Sequence, residues 1–331
     1  MNDTMLRLDA NEGRPCLPPE ALAALVDSET LRRYPDSRPL EAALAARFGL
    51  TPDRVIATAG ADDAIDRAIR SFGAAGATVL STAPAFGEYA AAAARSGSRY
   101  VSVPRAPDGP LPLSALLAAV RDESPALVVV ASPDNPGGGT ISLRELRELA
   151  SAGAPVLFDV AYSDFDEGRE VYEAAAGLAG VIATGTFSKA YGLAGLRAGW
   201  AAGSARNIAA LRDSGPPFAL STFSAAAALA ALESGEAARA SFISEVRRER
   251  PLLQAALAAM GARTWPSRAN FATAYVPDAS AFAATLAARG ISIRTWKGDP
   301  STENLIRITC PGDEAEFGTL LAALGKIGRL A

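Results

Sequence analysis

Lys189 lies in the run Thr186-Phe187-Ser188-Lys189-Ala190-Tyr191-Gly192-Leu193-Ala194-Gly195-Leu196-Arg197-Ala198-Gly199 and is one of only three lysines among 331 residues. A primary amine is the side chain that condenses with an aldehyde cofactor, and the phosphate of such a cofactor needs hydroxyls and a guanidinium nearby. The run supplies both, with Thr186 and Ser188 beside the lysine and Arg197 beyond it. The remaining neighbours are small or apolar, and none is the acidic partner that a solvated surface lysine usually has.

Other groups that could do chemistry stand just after short apolar runs, where open α/β sheets place their ligands. Ala59-Gly60-Ala61-Asp62-Asp63 leads a glycine straight into a helix, which offers free backbone N–H groups at Ala61 and Asp62 to a phosphate. The same pattern is also ordinary turn chemistry, and it matches no Walker or dinucleotide fingerprint. Phe86, in Pro84-Ala85-Phe86-Gly87-Glu88-Tyr89, could stack on a flat heterocycle or simply fill the core. Ser132-Pro133-Asp134-Asn135-Pro136-Gly137-Gly138-Gly139 can continue neither helix nor strand; it is a proline-rich turn, or a frame that fixes the backbone of Asn135 and leaves its amide free. Asp159 closes the apolar run 156–160, where a carboxylate is costly unless it meets a cation or several donors. A protonated pyridine nitrogen would be such a partner, with Tyr162 in reach of the same ligand, while a turn or capping carboxylate is the plainer alternative.

Composition removes other chemistries. The chain has no histidine, so histidine-based triads, zinc hydrolysis and histidine-dependent dehydrogenation are excluded, and acid–base work falls to lysine, carboxylates, tyrosine or a cofactor. A formal charge of −4 and a pI near 5.2 give no basic face for nucleic acid. Cys16 and Cys310 are far apart and lack metal-ligand spacing, so both are expected as free thiols and no metal site is expected. Residues 1–12 are polar with no apolar segment of the targeting kind, and charges interrupt every alanine-rich stretch well before a membrane-spanning length. A cytoplasmic protein with no membrane association is the expectation.

These groups need a scaffold that brings strand ends together. Short β-rich runs at 55–59, 78–81, 100–103, 127–131, 156–160, 181–184 and 198–202 alternate with helical periodicity at 62–72, 88–96, 114–122 and 143–151. That alternation predicts βαβ units around a mostly parallel seven-stranded sheet, an α/β fold. Ser114 and Ser142 are expected as N-caps, the latter with a capping box to Glu145. Residues 104–112 are expected to form a polar surface loop. Beyond residue 222 a long helical stretch runs to 260, interrupted near 234–235 and Pro251, followed by strand-like runs at 270–276, 291–295 and 305–309 and helical segments at 280–289 and 313–327. The expected division is a large domain over 31–222 and a smaller α+β domain built from 1–30 and 223–331.

Taken together, Leu8-Asp9-Ala10-Asn11-Glu12, Arg32-Arg33-Tyr34-Pro35-Asp36, Asn135, Asp159, Tyr162, Ser188-Lys189 to Arg197, and Leu305-Ile306-Arg307-Ile308-Thr309 resemble the fold-type I pyridoxal-phosphate aminotransferases, most closely the histidinol-phosphate aminotransferase branch. The resemblance spans nearly the whole chain. It implies pyridoxal phosphate carried on Lys189, which would also move the proton at the substrate's Cα. Asp159 would hold the pyridine nitrogen, Asn135 and Tyr162 the ring's phenolic oxygen, and Phe86 would stack on the ring. Ala61, Asp62, Thr186, Ser188 and Arg197 would hold the phosphate, with Tyr34 of a second subunit reaching across a homodimer interface. Arg307 would take the substrate's α-carboxylate, Asn11 would line the same pocket, and Arg294 would meet a distal phosphate. The implied reaction moves an amino group from an L-amino acid such as glutamate to an oxo acid or phosphorylated ketone. A decarboxylase of the threonine-phosphate type, or a specialised biosynthetic aminotransferase, is the alternative within the same branch. Asn11-Glu12-Gly13-Arg14 stands where the family usually has Asn-Glu-Asn-Pro, Pro133-Asp134-Asn135-Pro136-Gly137-Gly138 where it has Pro-Asn-Asn-Pro-Thr-Gly, and Asp159-Val160-Ala161-Tyr162 where it has Asp-Glu-Ala-Tyr.

Overall fold

The computed structural model describes residues 5–296, 298 and 300–330. Twelve strands run in chain order as β1 (Leu6–Leu8), β2 (Val55–Thr58), β3 (Thr78–Ala83), β4 (Arg99–Pro104), β5 (Leu127–Ala131), β6 (Val156–Asp159), β7 (Val181–Thr186), β8 (Gly199–Ala202), β9 (Arg263–Thr264), β10 (Phe271–Tyr275), β11 (Ile291–Thr295) and β12 (Leu305–Thr309). Seven of them form one sheet in the order β2-β8-β7-β6-β5-β3-β4, parallel except for β8, which runs against both its neighbours. The other five form a second sheet, β1-β11-β12-β10-β9, antiparallel except where β1 lies along β11.

The large sheet is apolar on both faces because helices cover both, which is why its inner strands are nearly unbroken runs of Val, Leu and Ile. Alternate residues divide between two cores. Val128, Val130, Val156 and Phe158 pack toward the helices Arg38–Phe48, Leu113–Glu123 and Leu143–Ala150. Leu127, Val129, Leu157 and Ile182 pack on Ile65 and Ile69 of the helix Ala61–Phe72. The second sheet has its own core, in which Phe271, Ile291, Ile306 and Ile308 meet Phe242, Leu253, Phe282, Phe317 and Leu320. Tyr162, Phe165 and Ala190 from loops of the large sheet join that core, so the two layers close on one another at the C-terminal ends of β6 and β7.

Three details depart from the sequence expectation. The helix Glu236–Ala259 runs unbroken through Pro251, because Val246, Leu253 and Leu257 on either side bury in the same core and the proline faces outward. Ser114 is not an N-cap: Pro112 precedes a helix that starts at Leu113, whereas Ser142 does form its capping box with Glu145. The stretch 104–112 is not purely a surface loop, since Arg105 and Leu111 are buried.

Glu249, fully buried on the helix Glu236–Ala259, ties that helix to the turn after β12 by accepting from the N–H groups of Gly312 at 2.8 Å and Asp313 at 2.9 Å. Burial pushes its carboxyl up to about 7 from the ordinary 4.5. Between those values the folded chain keeps a proton that the unfolded chain releases, so this contribution to stability is complete below pH 4.5 and lost as pH rises through 7. Urea titrations of wild type and Glu249→Gln should therefore show the wild-type unfolding free energy declining relative to the variant across that interval. A difference that stays flat, or grows with pH, contradicts the assignment.

Candidate active site

A cavity of about 580 Å³ opens where the C-terminal ends of the large sheet face the second sheet, and its wall includes Lys189, Asp159, Tyr162, Asn135, Phe86, Arg294 and Arg307. The loop after β7 carries Lys189 into it. The ammonium donates to the carbonyl of Ala10 at 3.0 Å and stands 5.9 Å from the centre of the Tyr162 ring. The N-terminal segment thus lies directly over the lysine loop. A Cβ on Gly13 would fall 1.7 Å from the carbonyl oxygen of Lys189, so only glycine permits this approach. That is the physical meaning of the Gly13 departure from the family pattern.

Asp159 ends β6 with only 6% of its surface exposed. Burial raises its carboxyl pKa, against the lowering effect of two donors: the Tyr89 hydroxyl at 2.7 Å on Oδ2 and the Ala161 N–H at 3.0 Å on Oδ1. No ion pair forms at this carboxylate among the described residues, so a proton-bearing ring nitrogen in the cavity would complete its shell. Tyr89 is not singled out by the sequence. An aromatic in an alanine-rich helix looks like core, and its three-residue offset from Phe86, with which it makes an edge contact at 5.7 Å, is the available signal.

The phosphate-binding candidates also converge. Gly60 precedes the helix Ala61–Phe72, whose first residues, Ala61 and Asp62, line the cavity. Arg197 pairs with the Asp62 carboxylate at 2.9 Å and reaches the Ser188 hydroxyl at 3.5 Å. Thr186 Oγ1 donates to that same hydroxyl at 2.9 Å and accepts from the Ser188 N–H at 3.0 Å. A helix start, two hydroxyls and a guanidinium make a cradle suited to a dianion.

On the opposite wall Arg307 is 5% exposed, and burial lowers its pKa to about 10, with Arg294 adding repulsion. Its Nη1 donates to Asn135 Oδ1 at 2.6 Å and its Nη2 to the Asp9 carbonyl at 2.6 Å, while Nε is buried with no acceptor. No described carboxylate neutralises Arg307 or Arg294, which are direct cross-strand partners on β12 and β11. The Asn135 amide is therefore not free, as its sequence context suggests; its oxygen is committed to Arg307 and its nitrogen is the atom left for a ligand. Trp296, which the sequence reading also passes over, has its ring 5.6 Å from the Arg294 guanidinium and 5.8 Å from that of Arg307. Asn11, buried with φ of 54°, donates from its amide to the Tyr162 hydroxyl at 3.0 Å and from its N–H to Thr309 Oγ1 at 3.1 Å. Two candidates lie outside this lining: Asn11, which meets it through the Tyr162 hydroxyl, and Tyr34, which is 79% exposed and stacks on Phe218 at 4.7 Å.

The family model described as aminotransferase class I and II matches residues 3–324. The histidinol-phosphate aminotransferase of Chromobacterium violaceum is 37% identical over 98% of this chain and 92% of its own length. That of Methylibium petroleiphilum is 35% identical over 98% and 90%. Among solved structures, the histidinol-phosphate aminotransferase of Sinorhizobium meliloti in complex with pyridoxal-5'-phosphate superposes with a TM-score of 0.86 at 29% identity, covering 97% of this chain and 90% of that one. The N-succinyldiaminopimelate aminotransferase of Mycobacterium tuberculosis gives 0.84 at 25% identity, with 98% and 94% covered.

Tyr89→Phe removes a hydrogen bond that lowers the pKa of a buried carboxylate, and should raise the Asp159 pKa further. Infrared titration of the carboxyl stretch, with Asp159→Asn to assign the band, reads this directly. An unchanged pKa would show that Tyr89 only packs there.

Proposed function

The chain belongs to the class I and II aminotransferases, and on that premise we propose that it moves the amino group of L-glutamate to a phosphorylated imidazole ketone, the reaction type of its histidinol-phosphate aminotransferase relatives. It is a pyridoxal-phosphate-dependent transferase acting on small-molecule amino donors and acceptors. One observation carries the reading: the same cavity presents a buried carboxylate lacking a cation, Asp159, and a buried guanidinium lacking an anion, Arg307, with the amine of Lys189 in its wall.

When bound, pyridoxal phosphate supplies an electron sink for the pair released at the substrate's Cα. Lys189 would carry the cofactor, and its amine is the group in the cavity wall that would take the proton from the substrate's Cα and return it. Asp159 accepts a hydrogen bond from the protonated ring nitrogen, and the Tyr89 hydroxyl keeps the carboxylate aligned for it. Tyr162 and the amide nitrogen of Asn135 face the ring's phenolic oxygen, and Phe86 covers one ring face. The Ala61 and Asp62 N–H groups, Thr186, Ser188 and Arg197 hold the phosphate. Arg307 grips the carboxylate of the donor in a fork, and Asn11 closes the pocket beside it through Tyr162. Arg294, exposed on β11 and facing the cavity, meets the phosphate of the acceptor.

The working form in this reading is a homodimer. Tyr34 and Phe218 stack on one another while both stay exposed, an aromatic pair suited to meet a neighbouring subunit, with Tyr34 reaching its phosphate cradle. The division into a large domain, 31–222, and a smaller one, 1–30 with 223–331, follows the two sheets, which meet around the cavity. A cytoplasmic location is supported by two unpaired cysteines, and none of the helices described is long and apolar enough to cross a membrane.

The test is a half-reaction. L-Glutamate should bleach the visible band of the holoenzyme, and imidazole acetol phosphate should restore it; release of carbon dioxide without bleaching would overturn transamination. Arg294→Ala should weaken a phosphorylated acceptor about 10- to 100-fold more than its unphosphorylated analogue, the scale of one charge-assisted contact. Equal losses for the two acceptors would remove Arg294 from that role.

A further inference from the structure

We propose that the buried ion pair of Arg105 and Asp134 is a positioning device for substrate recognition: it fixes the loop that sets Asn135, and through Asn135 it holds Arg307 in place for the donor's carboxylate. The inference rests on the reading of Arg307 as the anion-binding residue. Neither member of the pair lines the cavity, although both border a small internal space shared with Phe86, Tyr89 and Asn135, and the pair acts through the backbone that joins Asp134 to Asn135.

Arg105 follows β4, is 7% exposed, and anchors its own N–H to the Ala83 carbonyl at 2.8 Å. Its guanidinium lies 3.1 Å from Asp134 Oδ1, a charge contact rather than an aligned hydrogen bond, and also approaches the Gly109 carbonyl at 3.2 Å. Asp134, 6% exposed, accepts from the Gly137 N–H at 3.1 Å on its other oxygen, while its backbone N–H reaches the Gly139 carbonyl and its carbonyl takes the Gly138 N–H, each at 2.8 Å. One aspartate therefore organises the whole turn 134–139. The glycines are what the pair demands. A Cβ on Gly139 would lie 2.7 Å from the Arg105 guanidinium, and one on Gly137 would lie 2.9 Å from the Asp134 carboxylate and 2.2 Å from the Pro107 carbonyl. Asp134 and Gly137, which stand where the family pattern has asparagine and threonine, touch one another, and Asp134 touches Arg105.

The turn fixed in this way meets the second sheet at Arg307. The residue after Asp134 is Asn135, whose Oδ1 accepts from Arg307 Nη1 at 2.6 Å. The next, Pro136, accepts from Thr273 Oγ1 at 2.7 Å, and Thr273 on β10 is the cross-strand partner of Arg307 on β12. Trp265 Nε1 adds a third tie, to the Gly137 carbonyl at 2.9 Å. The loop is clamped from the large sheet by a buried charge pair and delivers an acceptor to the guanidinium of Arg307, which lines the cavity with N–H groups still unused. Moving the loop moves the acceptor, and with it the fork that the substrate's carboxylate must match.

The experiment compares wild-type holoenzyme with Asp134→Asn, Arg307→Ala and the double variant in the L-glutamate half-reaction. If the pair acts through Arg307, Asp134→Asn raises the half-saturating glutamate concentration about tenfold, the scale of losing one well-placed charged contact. The limiting rate and the cofactor's visible band should stay close to wild type. In the Arg307→Ala background the same substitution should add nothing, the mark of two residues acting in one chain of contacts. Independent losses in that background, an unchanged half-saturation, or a fall in limiting rate alone overturn the proposal. Arg307→Ala leaving half-saturation unchanged would instead overturn the reading of Arg307 itself. Should Asp134→Asn not fold, Arg105→Lys, which keeps the charge but shortens its reach, takes its place in the same cycle with the same outcomes.

Discussion

A carboxylate stands at the end of a strand that is buried along its whole length, and the rest of the site is arranged to make that tolerable. β6 lies between two parallel neighbours, with Phe158 sealed in the core one residue before Asp159. A charge there is stable only with donors around it. Tyr89 is brought from the helix Glu88–Ser96 to supply one, and the chain turns at Ala161 to supply another. Asp159 also lines the cavity, and no cation pairs with it among the described residues. The phosphate cradle at Gly60, Thr186 and Arg197 and the amine of Lys189 lie on the same wall, at the ends of β2 and β7.

The second sheet answers with the opposite charge. Arg307 is held by two neutral oxygens, from Asn135 and Asp9, so its orientation is fixed without its charge being cancelled. Asn135 comes from the large sheet's loop and Asp9 from the N-terminal segment, which means that the guanidinium is positioned only when all three parts of the chain are docked. Asn11 and Gly13 extend the same closure over Tyr162 and Lys189. The N-terminal segment, the lysine loop and the second sheet are in this way tied together around one cavity.

Much of the scaffold is legible in the sequence: the buried parallel strand β5 leaves an unbroken apolar run at 127–131, and β11 and β12 of the second sheet leave alternating ones at 291–295 and 305–309. The cavity residues are legible because Lys189 and Asp159 are charged among small or apolar neighbours and Asn135 stands in a proline-framed turn. What the sequence hides is partnership. Tyr89 looks like any core aromatic, and Arg105 sits in a polar, proline-rich stretch whose burial depends on a loop some thirty residues away in the chain. Asn135 is visible as a special position, but its bond to Arg307 joins groups 172 residues apart. The helix through Pro251 survives because long-range packing on both sides outweighs a local breaker. Tyr34 is recognisable by its motif, yet its place lies on the surface rather than in this subunit's cavity.

Every role proposed for the cavity depends on Lys189 being the residue that carries pyridoxal phosphate. Borohydride reduction of the purified holoenzyme, followed by peptide mass mapping, tests this with little ambiguity in a chain with only three lysines. The predicted result is a phosphopyridoxyl adduct on the peptide containing Lys189, at close to one per chain, with Lys297 and Lys326 unmodified. An adduct on either of those lysines instead, or none on Lys189 in cofactor-saturated protein, would contradict the assignment of the cavity and every role built on it.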